Sequence, residues 1–117
     1  MEAGRELDEI VAEKVMGWKW DRRYPTSDPQ FIPPEGDPRL AWAAEWDERG
    51  IPEYLPEYST DLGMAWEIVD RVRGSFSSQQ WEIWTHELCS NAQILRGDTP
   101  IIICLAALKA VGVEVPA

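Results

Sequence analysis

The sequence has little of the chemistry that catalytic and metal sites need. It contains one histidine, His86, and two cysteines, Cys89 and Cys104, whereas a zinc site takes three or four nitrogen or sulfur ligands. The motifs G-x-S-x-G and H-E-x-x-H and a glycine-rich phosphate loop are all missing, and these mark hydrolases, zinc proteases and nucleotide-binding loops. We therefore expect a protein that is not an enzyme and that binds neither a metal nor a cofactor.

Basic residues are also scarce. The chain has 11 lysines and arginines against 21 aspartates and glutamates, which gives a net charge of −10. This balance argues against binding to nucleic acid, because proteins bind its backbone by neutralising phosphates, and against binding to anionic membranes. An acidic surface favours solubility, and it can also imitate nucleic acid or dock on a basic partner.

Long hydrophobic runs are absent as well. The apolar stretch Ile101–Val111 is shorter than the roughly 20 residues that a membrane-spanning helix needs. The first apolar residues are interrupted by acids, unlike those of a signal peptide. We expect a cytosolic protein of one domain over residues 1–117, in which Cys89 and Cys104 are two buried free thiols rather than a disulfide.

Hydrophobic periodicity predicts four helices and three strands. The helices are Glu6–Met16, Pro38–Arg49, Asp61–Arg73 and Ile101–Val111, and the strands are Trp18–Tyr24, Gln80–His86 and Ala92–Arg96. Prolines between about residue 25 and residue 56 mark an insert that carries only the short helix Pro38–Arg49. The predicted fold class is α+β, with an antiparallel sheet packed by the three helices outside the insert as an α/β sandwich.

The apolar faces of the three helices outside the insert predict the core. The last helix is apolar nearly all round, so we expect it to be the central packing element. The side chains expected to be almost entirely buried are Leu7, Val11, Val15, Trp66, Val69, Ile102 and Leu105.

Three blocks of the sequence carry a family resemblance. They are L-D-E-I-V-A-E-K-V-M-G-W near the start, Y-S-T-D-L-G-M-A-W-E-I-V-D-R-V in the middle and T-P-I-I-I-C-L-A-A-L-K-A-V-G near the end. In order and spacing they resemble the phage ABA-sandwich domain family, and more distantly NinX-type phage proteins. The resemblance implies an α/β sandwich of phage or prophage origin, acting in the bacterial host cytoplasm, and it implies no catalytic residues. Between Tyr24 and Pro56 the chain departs from the family's pattern, since the insert with Trp42 and Trp46 replaces a short strand pair.

One cluster combines positive charge with aromatic rings. Its members are Lys19, Trp20, Arg22, Arg23 and Tyr24. Guanidinium groups bind phosphate through charge-assisted hydrogen bonds, and indoles stack on nucleobases. The same pattern also fits a strand whose tryptophans enter the core while its charges line the edge. We take these five residues as the candidate ligand-binding site.

Two functions remain open from the sequence. The leading hypothesis is a non-enzymatic phage protein that counters host immunity by sequestering a small nucleotide signal at the basic cluster. The alternative is an acidic inhibitor that binds a host or phage protein, with imitation of nucleic acid as one way to do so. Seven tryptophans are more than one small core readily hides, and aromatic residues are enriched at interfaces. We therefore expect a homo-oligomer, in the form of a dimer.

Overall fold

The computed structural model describes residues 3–21, 29–34, 46, 48–52, 55–90 and 99–113. Its helices are α1 (Arg5–Lys14), α2 (Leu62–Ser75), α3 (Ser78–Ser90) and α4 (Thr99–Ala110), and its strands are β1 (Lys19–Asp21) and β2 (Gln30–Ile32). The two strands pair in antiparallel register, with Trp20 opposite Phe31. The predicted α+β class is confirmed, and β2 lies inside the segment that we expected to hold no strand.

Helix α4 lies at the centre of the core. Apolar side chains occupy almost its whole circumference, as the sequence predicts, and α1, α2 and α3 all pack against it. Its buried residues are Pro100, Ile102, Ile103, Cys104, Ala106, Ala107, Leu108 and Ala110. An ion pair of 2.6 Å between Lys109 Nζ and Glu87 Oε1 joins the exposed side of α4 to α3. None of the helices in the described ranges is both long and apolar enough to cross a membrane.

Side-chain caps fix where α2 and α3 begin. Asp61 precedes α2 in an extended conformation, and its carboxylate accepts the backbone N–H of Met64 at 3.1 Å. Before α3, the backbone N–H of Ser77 donates to Gln80 Oε1 at 2.9 Å, and Gln80 N–H donates to Ser77 Oγ at 3.2 Å. This reciprocal pair is a capping box, which satisfies backbone donors that a helix start otherwise leaves free.

The predicted strand Gln80–His86 is wrong, because these residues lie within α3. Trp84 is 3% exposed and packs edge-on against Phe76, with ring centroids 6.2 Å apart. Ile83 and Leu88 also pack against the core, and Leu88 follows Trp84 by four residues, about one helical turn. The alternation of bulky and polar residues that suggested a strand is therefore incidental to a helical pattern. His86 is exposed.

The predicted helix Pro38–Arg49 does not reach its expected end. Trp46 forms an isolated antiparallel bridge with Pro52, and Glu48 and Arg49 lie in a turn. Gly50 follows this turn with a φ of 81°, a conformation that glycine adopts without strain. The rest of this helix, at residues 38–45 and 47, and the predicted strand Ala92–Arg96 lie outside the described residues.

The predicted core is partly right. Leu7, Val11, Val15 and Ile102 are buried, whereas Val69 and Leu105 are only partly buried and Trp66 is 53% exposed. Helix α2 instead buries Ala65, Ile68 and Val72. Trp66 follows Ala65 by one residue and is therefore rotated by about 100° away from that buried face. Both cysteines are free, but only Cys104 is buried, so the expected burial of Cys89 is wrong.

A buried polar contact joins α1 to the segment before α2. Asp8 is 4% exposed, and its Oδ1 accepts the backbone N–H of Ser59 at 2.8 Å. The Ser59 hydroxyl oxygen in turn accepts the backbone N–H of Gly4 at 2.9 Å, at the start of α1. Burial raises the pKa of Asp8 above its ordinary value, against the opposing effect of the hydrogen bonds from Ser59. Burial, with a smaller contribution from the charge of Asp8, also raises the pKa of Cys104 to about 12.

We expect Asp8→Ala and Asp8→Asn to differ in stability. Alanine leaves the buried N–H of Ser59 without its acceptor, which costs about 1–3 kcal/mol, whereas the asparagine oxygen can still accept it. Because the pKa of Asp8 is raised, the folded protein holds a proton that the unfolded chain releases, so wild-type stability falls as the pH rises through this pKa. Asp8→Asn should lack this contribution. Urea unfolding of the three proteins between pH 4 and pH 8 measures both effects, and equal stabilities of the Ala and Asn variants would contradict the role of Asp8.

Candidate functional site

Trp20 is held at the surface by the small sheet. It lies directly across from Phe31 in the strand register, with ring centroids 5.2 Å apart. On its other side Phe31 contacts Trp18, at a centroid distance of 5.4 Å. Phe31 and Trp18 are 2% and 3% exposed, whereas Trp20 is 45% exposed. The two buried rings therefore form a base from which the Trp20 ring reaches solvent.

Hydrogen bonds with Gly50 and Trp46 hold the backbone of Phe31, whose ring is one of the two buried rings under Trp20. The backbone N–H of Phe31 donates to the Gly50 carbonyl at 2.7 Å, and the Trp46 indole N–H donates to the Phe31 carbonyl at 3.3 Å. A Cβ atom on Gly50 would lie 2.5 Å from the Pro29 carbonyl oxygen and 3.2 Å from the Trp20 ring. The position of Trp20 thus depends on residue 50 being a glycine, which has no side chain to displace the ring.

A groove of about 150 Å³ opens beside Trp20. An engineered cavity of roughly this volume holds one benzene ring. Ile10, Phe31 and Ile51 form its apolar walls, and Glu9, Glu13 and Lys14 bring charged groups from α1. We call this feature the Trp20 groove. Its size and its aromatic wall suit a single planar ring with polar groups at the edge.

The charged residues of the Trp20 groove differ in how they are paired. The Glu9 carboxylate lies 2.7 Å from Arg49 Nη2 and 3.6 Å from Arg5 Nε, and it is largely shielded from solvent. Glu13 and Lys14 form an ion pair of 3.0 Å, and the Lys14 side chain is 50% exposed. Exposed pairs of this kind contribute little to stability. Lys14 and Glu13 can therefore turn towards a ligand, whereas Glu9 holds the turn at Arg49 against α1.

The structure describes the position of two residues of the predicted cluster. Trp20 lies in the groove, and Lys19 is exposed on the same strand, opposite Ile32. Adjacent residues of a strand point to opposite faces, so Lys19 does not share the face of Trp20. The other three predicted residues, Arg22, Arg23 and Tyr24, lie outside the described residues.

Sequence reasoning missed the contribution of α1 to this site. Glu9, Glu13 and Lys14 reach the groove from the side of α1 that does not face the core. Their spacing places Glu9 and Glu13 one turn apart on a common face, and this could be read from the predicted helix. Nothing in the sequence indicated that the strand after the helix folds back against that face.

Comparison with known protein families matches residues 9–108 to the phage ABA sandwich domain. Neither the curated proteins nor the solved structures gave a match. The matched range includes every residue that lines the Trp20 groove. The groove is therefore part of the recognised domain and not of an appended segment.

Gly50→Ala should destabilise the protein and displace Trp20, because residue 50 has a positive φ and its Cβ would collide with the Pro29 carbonyl. We expect a loss of about 1–3 kcal/mol in the free energy of unfolding. Gly74→Ala is the matched control, since Gly74 lies in α2 with nothing within 4 Å of an added Cβ. That change should stabilise the protein by up to about 1 kcal/mol. Thermal and urea unfolding measure both, and equal effects of the two changes would contradict the tight fit at Gly50.

Proposed function

The chain belongs to the phage ABA sandwich domain family, and we propose that it is a phage-encoded, non-enzymatic binding protein that sequesters a small nucleotide signal of host immunity. It acts in the cytoplasm of the bacterial host, where such a signal is made. The observation that carries this proposal is the half-exposed ring of Trp20 beside a groove large enough for one planar ring. A nucleobase stacked on Trp20 is the occupant that fits this chemistry.

The basic residues proposed to bind a phosphate are Lys14, which lines the groove, and two arginines that follow β1 in the sequence. The Lys14 side chain is 50% exposed. Arg22 and Arg23 follow β1 directly in the sequence, with Tyr24 next to them, and Lys19 precedes Trp20. In this proposal Trp20 and Tyr24 contact the base, and Lys14, Arg22 and Arg23 bind phosphate.

The magnitudes are adequate for a weak to moderate binder at one site. A stacked base contributes about 1–3 kcal/mol, and each charged hydrogen bond contributes about 1.5–3 kcal/mol. One base and three such bonds bring the total to the neighbourhood of the roughly 8 kcal/mol that a micromolar ligand needs. The net charge of −10 opposes a phosphate at long range, but screening over about 8 Å leaves the local cations dominant at contact.

An acidic inhibitor of a host or phage protein is the second candidate function. Leu62 and Trp66 are 47% and 53% exposed on α2, and exposed aromatic residues are typical of protein interfaces. Asp61, Glu67 and Asp70 on the same segment add negative charge, which suits a basic partner or an imitation of nucleic acid. This function uses α2 and does not require the Trp20 groove.

Trp20→Ala should weaken binding of a nucleotide by about 1–3 kcal/mol, because the stacking surface is lost. Trp81→Ala is the matched control, since Trp81 is 43% exposed but lies on α3 and does not line the groove. Isothermal titration with mononucleotides and cyclic dinucleotides measures the affinities. A Trp20→Ala variant that binds as tightly as the Trp81→Ala control contradicts the stacking role.

Charge removal tests the phosphate part of the proposal. The double change of Arg22 and Arg23 to Ala should abolish nucleotide capture, and Lys14→Ala should weaken it. Lys109→Ala is the control, because Lys109 is also exposed and ion-paired but lies on α4, outside the groove. The readout is ligand released by heating the purified protein after incubation with nucleotide extract from infected cells. If the Arg22/Arg23 variant still protects phage as well as wild type, the nucleotide function fails and the inhibitor function is favoured.

A further inference from the structure

The Trp20 groove carries more negative charge than a site for the phosphate itself would carry. Glu9 and Glu13 both line it, whereas Lys14 is the one cation that lines it among the described residues. A carboxylate repels phosphate, and it accepts hydrogen bonds without donating any. The part of a nucleotide that enters the groove is therefore an uncharged one with N–H donors, and the edge of a nucleobase has these properties.

Glu9 is the carboxylate that its neighbours hold in place. Its Oε1 atom lies 2.7 Å from Arg49 Nη2 and 3.6 Å from Arg5 Nε, and its side chain is 19% exposed. Both contacts are made to Oε1, and a carboxylate has about four lone-pair sites on its two oxygens. Glu9 can therefore accept hydrogen bonds from a base while it is paired with the arginines, in the fixed geometry that discrimination between bases requires.

The nucleobases differ in what their edges present to a carboxylate. The Watson–Crick edge of guanine has two adjacent donors, N1–H and N2–H₂, which match the acceptor-only carboxylate. Adenine and cytosine have one amino donor beside a ring nitrogen that accepts, and uracil has one N–H between two carbonyl oxygens. In these three bases an acceptor faces the acceptors of Glu9, and such a mismatch selects against them.

The position of Lys14 agrees with a guanine whose edge meets Glu9. Lys14 follows Glu9 by five residues, which places it about 7.5 Å farther along α1, and its side chain is 50% exposed. The Watson–Crick edge and the phosphate lie at opposite ends of a nucleotide. With the ring stacked on Trp20 and its edge at Glu9, the phosphate leaves the groove towards solvent, where the Lys14 ammonium can reach it.

We propose that the Trp20 groove selects guanine nucleotides, and that the Glu9 carboxylate accepts N1–H and N2–H₂ of the base. This selectivity rests on the proposed function, because it names the base of the nucleotide that is sequestered there. Glu9 then has two roles at once, since Oε1 holds the turn at Arg49 while the remaining lone pairs of the carboxylate bind the base.

Isothermal titration of the full-length protein with GMP, IMP and AMP tests this selectivity. IMP is the matched ligand, because it keeps the N1–H and the phosphate of GMP and lacks only the N2 amino group. Wild type should bind GMP at least about tenfold more tightly than IMP, since one charge-assisted hydrogen bond is lost, and AMP should bind more weakly than IMP. Equal affinities overturn the guanine selectivity and leave the nucleotide function standing, whereas no binding of any of the three overturns both.

Glu9→Gln tests which residue binds the base. The amide offers one acceptor oxygen in place of two, so GMP should bind at most about threefold more tightly than IMP. AMP should bind more tightly than it does to wild type, because an amide can accept from its amino group and donate to its ring nitrogen. An equal fall in affinity for all three nucleotides overturns the proposal, since Glu9 would then only hold the turn at Arg49.

Two further variants serve as comparisons. Glu6→Gln is the matched control, because Glu6 is exposed on the same helix and is not among the residues that line the groove, and it should keep the wild-type preference for GMP. Glu13→Gln should also keep it. If Glu13→Gln loses the preference and Glu9→Gln retains it, the assignment to Glu9 is wrong.

Discussion

The arrangement of the helices depends on one constraint, which is that α4 has almost no polar side. An apolar helix must be covered all round, and a single neighbour covers only one stripe of it. Helices α1, α2 and α3 supply that cover, and each therefore turns its own apolar face inward. The inward faces of these three helices are then used by α4, and the sheet meets the outer side of α1 at the Trp20 groove. Trp20 therefore stays 45% exposed.

Helix α1 connects the core to the candidate site. Its inner residues Leu7 and Val11 are fully buried, while Arg5 and Glu9 on its polar side hold the end of the insert. Arg5 donates to the Pro52 carbonyl at 3.1 Å, and Glu9 pairs with Arg49. A change in the packing of α1 on α4 would therefore be felt at the turn that supports Trp20, even though the two lie on opposite sides of the helix.

The sequence was sufficient for helices whose apolar residues fall on one narrow face. The bounds of α1, α2 and α4 agree with the prediction to within about two residues, and the central position of α4 was foreseen. Helix α3 was missed because its bulky residues happen to alternate. The Ser77–Gln80 capping box was a readable signal that decides for a helix, since S-x-x-Q has no such role before a strand.

Tertiary facts were harder to foresee. Trp66 looked like a core residue because of its size, but the face that α2 turns to the core carries Ala65, Ile68 and Val72, and Trp66 lies beside that face and is 53% exposed. The groove could not be assembled from the sequence either, since it depends on the antiparallel return of β2 and on the turn at Gly50. Local patterns specify elements, whereas the meeting of α1, β1 and residue 51 is a property of the whole chain.

The unequal environments of the two cysteines have a practical consequence for spectroscopy. Thiol reagents attack the thiolate, so they react slowly with a buried group of high pKa. Cys104 is such a group, whereas Cys89 is exposed near the end of α3. A maleimide dye or a nitroxide spin label added under native conditions will therefore attach at one position of the unaltered sequence. The chain already carries a single labelling site, from which distances between molecules can be measured.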